Sequence, residues 1–392
     1  MQLLNAHLAS RTFLVGHAAS LADYCAWSAL LANPAWAAWS SASASAEAPH
    51  LLRWFHALDA TPACREANPS AAAVAAKKDA KMAKSKEGGS FDIGLDKATM
   101  MGKVVTRFPP EPSGFMHMGH AKAALLNHHY AREYQGKMIL RFDDTNPSKE
   151  KAEYEESIMA DLLSLGIQHD IFTHTSDSFV LIQECGDRLV ASGQAYLDNT
   201  PVEQMRDERT RGVDSKCRAQ SVEENVRLWN AMKAGTPEGL LCCMRAKIDM
   251  KSLNGCMRDP TMYRCNLTPH HRTGTQFKVY PTYDFACPIV DSIEGVTHAM
   301  RTNEYHDRNE QFMWVLDALA MRKPEILDFS RLNFVYTTLS KRKLNWFVDQ
   351  KKVDGWNDPR FPTVQGVLRR GLTVAALKEF MLRQGFSNMV RR

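Results

Sequence analysis

The most constraining stretch of the sequence runs from residue 104 to residue 147, where two short apolar runs flank a loop rich in proline and glycine. The prolines and the glycine within 109–114 forbid a continuing strand or helix there. Residues 118–134 then have a helix-compatible composition, Gly136 can end that helix, and residues 138–142 form the second apolar run. The order strand, loop, helix, strand predicts half of a nucleotide-binding βαβ unit, with its ligand site at the loop before the helix.

Two histidines flank a Met-Gly pair at the start of this predicted helix, in the order His117, Met118, Gly119, His120. Gly119 lets a ligand approach the backbone closely, and a helix N-terminus attracts anions through its unpaired N–H groups. Imidazoles at this place can donate to phosphate oxygens whose charge increases during a reaction. The four residues alone are a weak signal, and their flanks, RFPPEPSG before them and RFDDTNP after them, make it specific.

Length and composition set wide limits. The 392 residues are more than one domain normally holds, and a hydrophobic content of 44% is enough for real cores. The net charge of +5 permits a polyanionic partner without demanding one. Nine cysteines without the spacing of a disulfide scaffold favour a reducing compartment, and no apolar run reaches the length that a membrane-spanning helix needs.

With these flanks, the sequence resembles the HIGH-type motif of class I aminoacyl-tRNA synthetases, with Met118 where isoleucine is usual. The flanks resemble the glutamyl/glutaminyl subgroup in its eukaryotic and archaeal form, and the resemblance extends over about residues 103–386. It implies an α/β protein with the Rossmann-like catalytic fold of class I synthetases and an inserted domain for the acceptor end of tRNA. The ranges implied are the two catalytic halves at 103–175 and 284–345, the insert at 176–283, and a helical connector at 346–392 that stops before the anticodon-binding barrels.

The resemblance also implies an amino-acid pocket. Tyr283 matches the tyrosine that lines it, and Arg301, 18 residues later, stands where glutamyl enzymes carry an arginine for the substrate γ-carboxylate. Glutaminyl enzymes have an uncharged residue there, because a buried unpaired guanidinium would be costly against a neutral amide. Arg107 matches the ligand of the substrate α-carboxylate and Asp143 the acid that accepts the ammonium, so each charge of the zwitterion has a partner.

Residues 339–344, LSKRKL, resemble the KMSKS loop of this subgroup, with Lys341 as its principal lysine. A mobile loop of this kind can close over a triphosphate and stabilise the charge of the leaving pyrophosphate. The implied ATP-binding residues are His117, Gly119, His120, Lys341 and Lys343. ATP is expected as its Mg²⁺ complex, without a metal caged by the protein. A superficially similar run at 81–85 lies in Lys-rich, low-complexity sequence and is interpreted as solvated linker.

The N-terminal 62 residues resemble the all-α C-terminal domain of glutathione transferases, which several eukaryotic synthetases use as a docking module for protein partners. Ser20 and Asp23 have the spacing of a capping box, which predicts a helix whose apolar face carries Tyr24, Trp27, Leu30 and Leu31. The alternative is a transit peptide, because Asp23 is the first acidic residue. Residues 63–102 are predicted to be a flexible linker.

The predicted insert carries basic residues that could contact tRNA phosphates, although a solvated helix would have the same pattern: Arg206, Arg209, Arg211, Lys216 and Arg218. It also carries four cysteines that invite a zinc site, Cys242, Cys243, Cys256 and Cys265. Structural zinc usually has paired ligands at C-x2-4-C spacing, which these residues lack, so buried thiols are the favoured interpretation.

The resemblance as a whole implies activation of L-glutamate with ATP to glutamyl-adenylate and transfer to the 3′ end of tRNA(Glu), in the cytoplasm and without a membrane partner. Two alternatives stay open. One is the glutaminyl enzyme, which Arg301 argues against. The other is a non-catalytic scaffold that uses the N-terminal module, against which stands the presence of every catalytic motif.

Overall fold

A computed structural model describes residues 2–15, 18–32, 36, 48–62, 64, 97–148, 152–332, 334 and 336–384. The chain forms two compact units, Met1–Gly88 and Gly89–Arg392. The lysine-rich run at 81–85 lies outside the described residues. The predicted linker contains one described helix, Lys97–Met100. Among the described helices, none is both long and apolar enough to cross a bilayer.

The first unit is helical, as its composition predicts. Its helices Gln2–His7, Leu21–Leu31 and Pro49–Asp59 enclose an apolar core to which Trp27 and Trp54 belong. Tyr24 and Leu30 pack against this core, but Leu31 is exposed, so the predicted apolar face was one residue too wide.

A single buried carboxylate ties the loop before the second helix to the third helix. Asp23 is fully buried and accepts hydrogen bonds from the backbone N–H of Leu14 and Ser20, from the Ser20 hydroxyl, and from Trp54 Nε1 at 2.8 Å. Burial by itself would raise the pKa of Asp23, but these hydrogen bonds outweigh it and hold that pKa below its usual value. The predicted contact from Asp23 back to the Ser20 backbone is therefore confirmed.

In the second unit, two parallel sheets adjoin. Strands β1 to β3 form one sheet, in the order β1-β2-β3, and β8 and β9 form the other. Residue Thr297, just before β8, exchanges hydrogen bonds of 2.8 and 2.9 Å with Val105 of β1, so the strands succeed one another as β3-β2-β1-β8-β9. The bounds are β1 Val105–Phe108, β2 Lys137–Phe142, β3 Ile171–His174, β8 His298–Thr302 and β9 Glu325–Phe329.

The predicted βαβ unit is confirmed. Helix Met118–Glu133 follows β1 and precedes β2, and helix Ala152–Ser164 connects β2 with β3. The Thr106 hydroxyl donates to the carbonyl of Asn127 at 2.9 Å, which fixes the first helix against the first strand. The chain reverses its direction of winding between β1 and β8, and open parallel sheets bind their ligands at such a switch point.

A separate sheet, which is antiparallel, lies wholly within the range predicted for the insert. Its strands succeed one another as β4 Ala195–Asp198, β5 Cys243–Ala246, β6 Thr261–Cys265 and β7 Val279–Pro281. The helices of this part are Phe179–Ala191, Val202–Arg211, Val222–Ala234 and Pro237–Leu240. Trp229 and Tyr263 lie in the core that the sheet and helices share, which is why the insert can fold as a body between the catalytic halves.

The basic residues of the insert have different structural roles. Arg209 donates to the carbonyls of Arg258 and Gly255, and Arg218 pairs with buried Asp259 at 2.7 Å, so both stabilise the insert itself. Arg206, Arg211 and Lys216 lie at the surface. The predicted phosphate contacts therefore stay a prediction for Arg206, Arg211 and Lys216. They are disfavoured for Arg209 and Arg218, whose donors are already used.

The insert's cysteines are free thiols. Cys242 is buried, whereas Cys243, Cys256 and Cys265 are partly buried. Burial raises the pKa of Cys243 to about 12 and that of Cys265 to about 11, so both stay protonated at neutral pH. Within the described residues, no group of three or more side chains is arranged to hold a metal ion.

The C-terminal part is helical, with helices Lys341–Asp349, Val364–Arg369 and Val374–Gln384. Lys341 begins a helix that Ser340 precedes as N-cap residue, so the LSKRKL motif is only partly a loop. The apolar run at 332–336 is not a strand at its described residues, because β9 ends at Phe329.

We expect Asp23→Ala to lower the free energy of unfolding of the first unit by about 2–4 kcal/mol, because it leaves several buried donors without an acceptor. Urea denaturation of the full chain, followed by tryptophan fluorescence, measures this. Asp59→Ala is the matched control, because Asp59 Oδ1 has no partner in the described part of the chain. Equal effects of the two variants would contradict the role given to Asp23.

Candidate active site

A cavity of about 680 Å³ opens where β1 ends and helix Met118–Glu133 begins. It is bordered on another side by the start of helix Tyr283–Ile293 and by β8. The structure brings seven predicted site residues into its wall: Arg107, His117, Gly119, His120, Asp143, Tyr283 and Arg301. Leu339 of the LSKRKL motif also lines it, whereas the Lys341 side chain lies outside what is described and Lys343 is an exposed residue that is not part of the wall.

The two histidines fix each other at the helix start. His117 is the N-cap residue, and its Nδ1 accepts from the backbone N–H of Gly119 at 3.1 Å. His120 Nδ1 accepts from the backbone N–H of His117 at 3.3 Å, and the two rings stack with centroids 3.9 Å apart. Because Nδ1 is the acceptor in both neutral rings, Nε2 carries the proton and is the donor. A Cβ at position 119 would lie 2.9 Å from His117 Cε1, so a larger residue there would force this ring to shift.

Arg301 is a buried cation whose hydrogen-bonding capacity is not used up. Only 5% of its surface is exposed, and its guanidinium lies 5.1 Å from the Tyr305 ring centroid and 5.2 Å from that of Phe312. Nη1 donates to Asn309 Oδ1 at 3.2 Å, while Nε has no partner within the described chain. The Asn309 amide group is itself held by Asp328, so its oxygen stays turned towards Arg301.

Two other arginines of the cavity wall differ from Arg301. Arg308 pairs with Asp284 at 2.6 Å, and Arg331 pairs with Glu304. Arg301 has no such carboxylate among the residues described. Because a buried charge is stable only with a partner, its side chain suits a ligand that supplies a carboxylate, which a guanidinium can bind through two parallel hydrogen bonds.

Asp143 is a buried acid at the start of the loop after β2. Burial and the nearby Asp144 and Glu111 raise its pKa to about 7, although a hydrogen bond from Thr145 and the charge of Arg141 act in the other direction. Its Oδ1 has no hydrogen-bond partner in the described structure. A cationic ligand would satisfy that oxygen and keep the group ionised.

Arg107 lies in the cavity wall, but its charge is already paired. Its Nε donates to both carboxylate oxygens of Asp291 at 3.1 and 3.2 Å, Nη1 donates to the Met300 carbonyl at 2.9 Å, and Nη2 contacts Cys287 Sγ. Arg107 is 1% exposed. The contact with a substrate α-carboxylate that the resemblance implies for Arg107 stays a prediction, in which the ligand would share this guanidinium with Asp291 and the Met300 carbonyl.

Asp291 also pairs with Arg141 of β2, at 2.5 Å. Arg141 reaches Glu294 at 2.6 Å, and Glu294 accepts from the Thr173 hydroxyl of β3. Attraction to both arginines outweighs burial and keeps the pKa of Asp291 below its usual value. The network therefore joins three parallel strands to helix Tyr283–Ile293, directly beneath the cavity.

Tyr283 completes the wall at the start of that helix. Burial raises the pKa of its hydroxyl well above the ordinary value, so it remains a hydrogen-bond donor. Its ring packs edge to face against Tyr305, with centroids 5.8 Å apart. Tyr305 in turn lies over Arg301, so the tyrosine pair holds the guanidinium from one side.

Comparison with known proteins gives the family of this chain. The family model described as "tRNA synthetases class I (E and Q), catalytic domain" matches residues 103–392. This chain belongs to that family. The model described as "Glutathione S-transferase, C-terminal domain" matches residues 1–62.

Several relatives of this class I synthetase chain match nearly all of it. A bifunctional glutamate/proline–tRNA ligase of Cricetulus griseus is 54% identical over 387 residues, which are 99% of this chain and 25% of the relative. Cytoplasmic glutamate–tRNA ligases of Arabidopsis thaliana (49% identical; 97% of this chain, 54% of the relative) and Saccharomyces cerevisiae (52%; 100% and 55%) are also similar. The chain thus spans from about a quarter to about half of the length of these relatives.

Sequence reasoning missed Asp291, the residue that joins the halves of this synthetase fold. A signal was present, since Asp291 directly follows the apolar run ACPIV in a helix that is buried along most of its length. An acid at such a place indicates a buried ion pair. The identity of its partners was not predictable, because Arg107 is 184 residues away along the chain.

We expect kcat/KM for the amino acid to fall about tenfold per pH unit below about pH 7, because protonated Asp143 cannot pair with an ammonium group. The pH profile of amino-acid-dependent ATP–pyrophosphate exchange measures this. Asp143→Asn is the control. Its kcat/KM should be low and should not change with pH across the same range. A wild-type profile as flat as that of Asp143→Asn would contradict this role.

We expect Asp291→Asn to destabilise the second unit by about 3–5 kcal/mol, because it leaves two buried arginines short of negative charge. Asp317→Asn is a matched control, because Asp317 is exposed and pairs with Lys323 at the surface, where such a pair contributes at most about 1 kcal/mol. Urea midpoints of the two variants give the comparison. Similar midpoints would show that the buried network is not a major source of stability.

Proposed function

We propose that this chain carries the catalytic part of a glutamate–tRNA ligase. The observation that carries the proposal is Arg301, a buried guanidinium in the cavity wall with an unused Nε and no carboxylate partner among the described residues. A glutamate γ-carboxylate satisfies it, whereas the neutral amide of glutamine leaves the buried charge uncompensated. The names of the similar relatives support the same substrate.

The proposed first step is attack of the glutamate α-carboxylate on the α-phosphorus of ATP, which gives glutamyl-adenylate and releases pyrophosphate. Asp143 accepts the substrate ammonium, and Tyr283 and Arg301 hold the side chain. His117 and His120 donate from Nε2 to phosphate oxygens as charge accumulates, and this stabilises the transition state more than the ground state. The second step transfers the glutamyl group to the terminal adenosine of tRNA(Glu), with pyrophosphate and AMP as the leaving groups of the two steps.

The remaining assignments rest on the resemblance, and for Gly119 also on its place in the cavity wall. Gly119 lets ATP approach the helix N-terminus, while Lys341 and Lys343 contact the triphosphate from the LSKRKL motif. Mg²⁺ accompanies the phosphates of ATP and takes most of its ligands from them and from water. No protein nucleophile is needed, because positioning and charge stabilisation provide the catalysis.

Partners and location follow the relatives' names. The proposed location is the cytoplasm, as in the similar ligases of Arabidopsis thaliana and Saccharomyces cerevisiae. The insert at 176–283 is proposed to hold the acceptor end of tRNA(Glu), and residues 1–62 to dock a synthetase-associated protein. The proposed domain ranges are those that the sequence predicts, with catalytic halves at 103–175 and 284–345 and a connector at 346–392.

The proposed function is tested by amino-acid-dependent ATP–pyrophosphate exchange with the full chain, with and without bulk tRNA. Exchange with glutamate and not with glutamine is the expected result. Exchange with glutamine would favour the glutaminyl enzyme. No exchange under any condition, tRNA included, would favour the scaffold alternative.

We expect Arg301→Ala to raise KM for glutamate at least about 100-fold, since a charge-assisted pair to a buried partner contributes several kcal/mol. KM for ATP should change little. Arg308→Ala is the matched control, because it removes a cation of the same cavity that Asp284 already neutralises. Unchanged glutamate kinetics in Arg301→Ala would remove this residue from the pocket.

A further inference from the structure

A loop of the insert is attached to the acidic loop that carries Asp143. This insert loop, residues 266–278, connects β6 with β7 and contains a bridge between His270 and Gly274. At the surface the loop contacts Ser148 through Asn266, and Glu155 through His271 at 3.0 Å. Its contact in the interior is with Asp144, which is fully buried. The two loops are more than 100 residues apart in sequence, so only the tertiary fold brings them together.

His270 holds the backbone of Asp144. Its Nδ1 accepts from the backbone N–H groups of Arg272 and Thr273 at 3.1 and 3.2 Å, which identifies Nε2 as the protonated nitrogen. Nε2 then donates to the Asp144 carbonyl at 2.7 Å. Burial lowers the pKa of His270, which agrees with a neutral ring in this one tautomer.

The Asp144 carboxylate is held from the other side. It accepts from the backbone N–H of Ser176 at 2.8 Å and from the Ser176 hydroxyl at 2.5 Å. Arg272 of the insert loop donates to the same hydroxyl at 2.5 Å and to Asp177 at 2.8 Å, and its Nη1 lies 3.8 Å from Asp144 Oδ2. Backbone and side chain of Asp144 are therefore both fixed. In the insert loop, His270 holds the backbone, and Arg272 acts on the side chain through Ser176.

Asp143 depends on this arrangement. Its own backbone N–H donates to the Pro110 carbonyl at 3.0 Å, which fixes the residue on the side of β1. On the other side a hydrogen bond from Thr145 and the covalent link to Asp144 hold it, while Asp143 Oδ1 has no partner in the described chain. Loosening Asp144 lets the Asp143 carboxylate move relative to the cavity, and a displacement of about 1 Å can cost 100-fold in rate.

We propose that His270 and Arg272 are positioning residues of the amino-acid site, and that through Asp144 the insert loop holds Asp143 where the substrate ammonium binds. The proposal rests on the proposed function for the role of Asp143. It makes the amino-acid site depend on a loop of the insert, the part of the chain proposed to hold the tRNA acceptor end. The ammonium is common to glutamate and glutamine, so the proposal does not depend on which of them is the substrate.

The test compares Arg272→Ala, His270→Phe and His270→Gln in the full chain. Gln can place an N–H donor near the position of Nε2, so it should rescue what Phe loses. Arg258→Ala is the control for general loosening of the insert, because the acceptors of Arg258 are carbonyls of Ser252, Arg209 and Thr210, all within the insert. Arg272 is partly exposed, so its replacement leaves the protein folded even if His270→Phe does not.

The measurements are KM for the amino acid, KM for ATP, kcat, and the pH profile of kcat/KM in pyrophosphate exchange. We expect Arg272→Ala and His270→Phe to raise KM for the amino acid roughly tenfold with KM for ATP unchanged. The pH below which kcat/KM falls should become lower, because a less restrained Asp143 carboxylate is better hydrated and its pKa therefore falls. His270→Gln should lie near wild type.

Two results would overturn the proposal. One is wild-type kinetics and pH profile in both Arg272→Ala and His270→Phe. The other is an equal rise of KM in Arg258→Ala, which would indicate a purely structural effect. If wild type shows no exchange, the proposed function has failed, and calorimetric titration of the same variants with glutamate, which needs no turnover, gives the same comparison of amino-acid affinity.

Discussion

The candidate active site depends on a buried carboxylate. Asp291 faces two arginines, Arg107 from β1 and Arg141 from β2, and it stands on a helix that follows the inserted sheet. Desolvating three charges is tolerable only when each has a partner in good geometry, and removing one leaves the others uncompensated. The network thus makes the relative position of the two catalytic halves specific. The cavity wall, which both halves form, can then be rigid.

Charge is distributed unevenly above this network. Arg107, Arg308 and Arg331 each have a carboxylate of the protein, whereas Arg301 has only the amide oxygen of Asn309 and two aromatic rings. Asp143 is likewise buried with an oxygen that the described chain does not satisfy. A ligand that carries an ammonium and a side-chain carboxylate supplies what both residues lack. The free protein bears the energetic cost of these groups, and binding recovers it, as at many functional sites.

Much of the catalytic fold was predictable from sequence, because the relevant signals are local. The βαβ unit follows from prolines and glycine between apolar runs, and helix Met118–Glu133 lies within one residue of its predicted end. Arg301 and Tyr283 were placed in one pocket by the register of a motif, and both lie in the cavity wall.

The contacts of these residues were not predictable. Arg107 was expected to face a substrate carboxylate, yet its pairing with Asp291 depends on strand order and on a helix 184 residues away. The link between His270 and Asp144 is of the same kind, since it needs the fold of a whole inserted sheet to form. The exposure of Leu31 was also not predictable. Periodicity indicates which face of a helix is apolar, but not at which residue the core ends.

The most direct test of the account is a crystal structure of the full chain with a non-hydrolysable glutamyl-adenylate analogue. The account predicts that the γ-carboxylate lies within hydrogen-bond distance of the Arg301 guanidinium, about 3 Å, and that the ammonium lies equally close to Asp143. A γ-carboxylate bound to Arg308 instead, with Arg301 hydrogen-bonded only to Asn309, would contradict it.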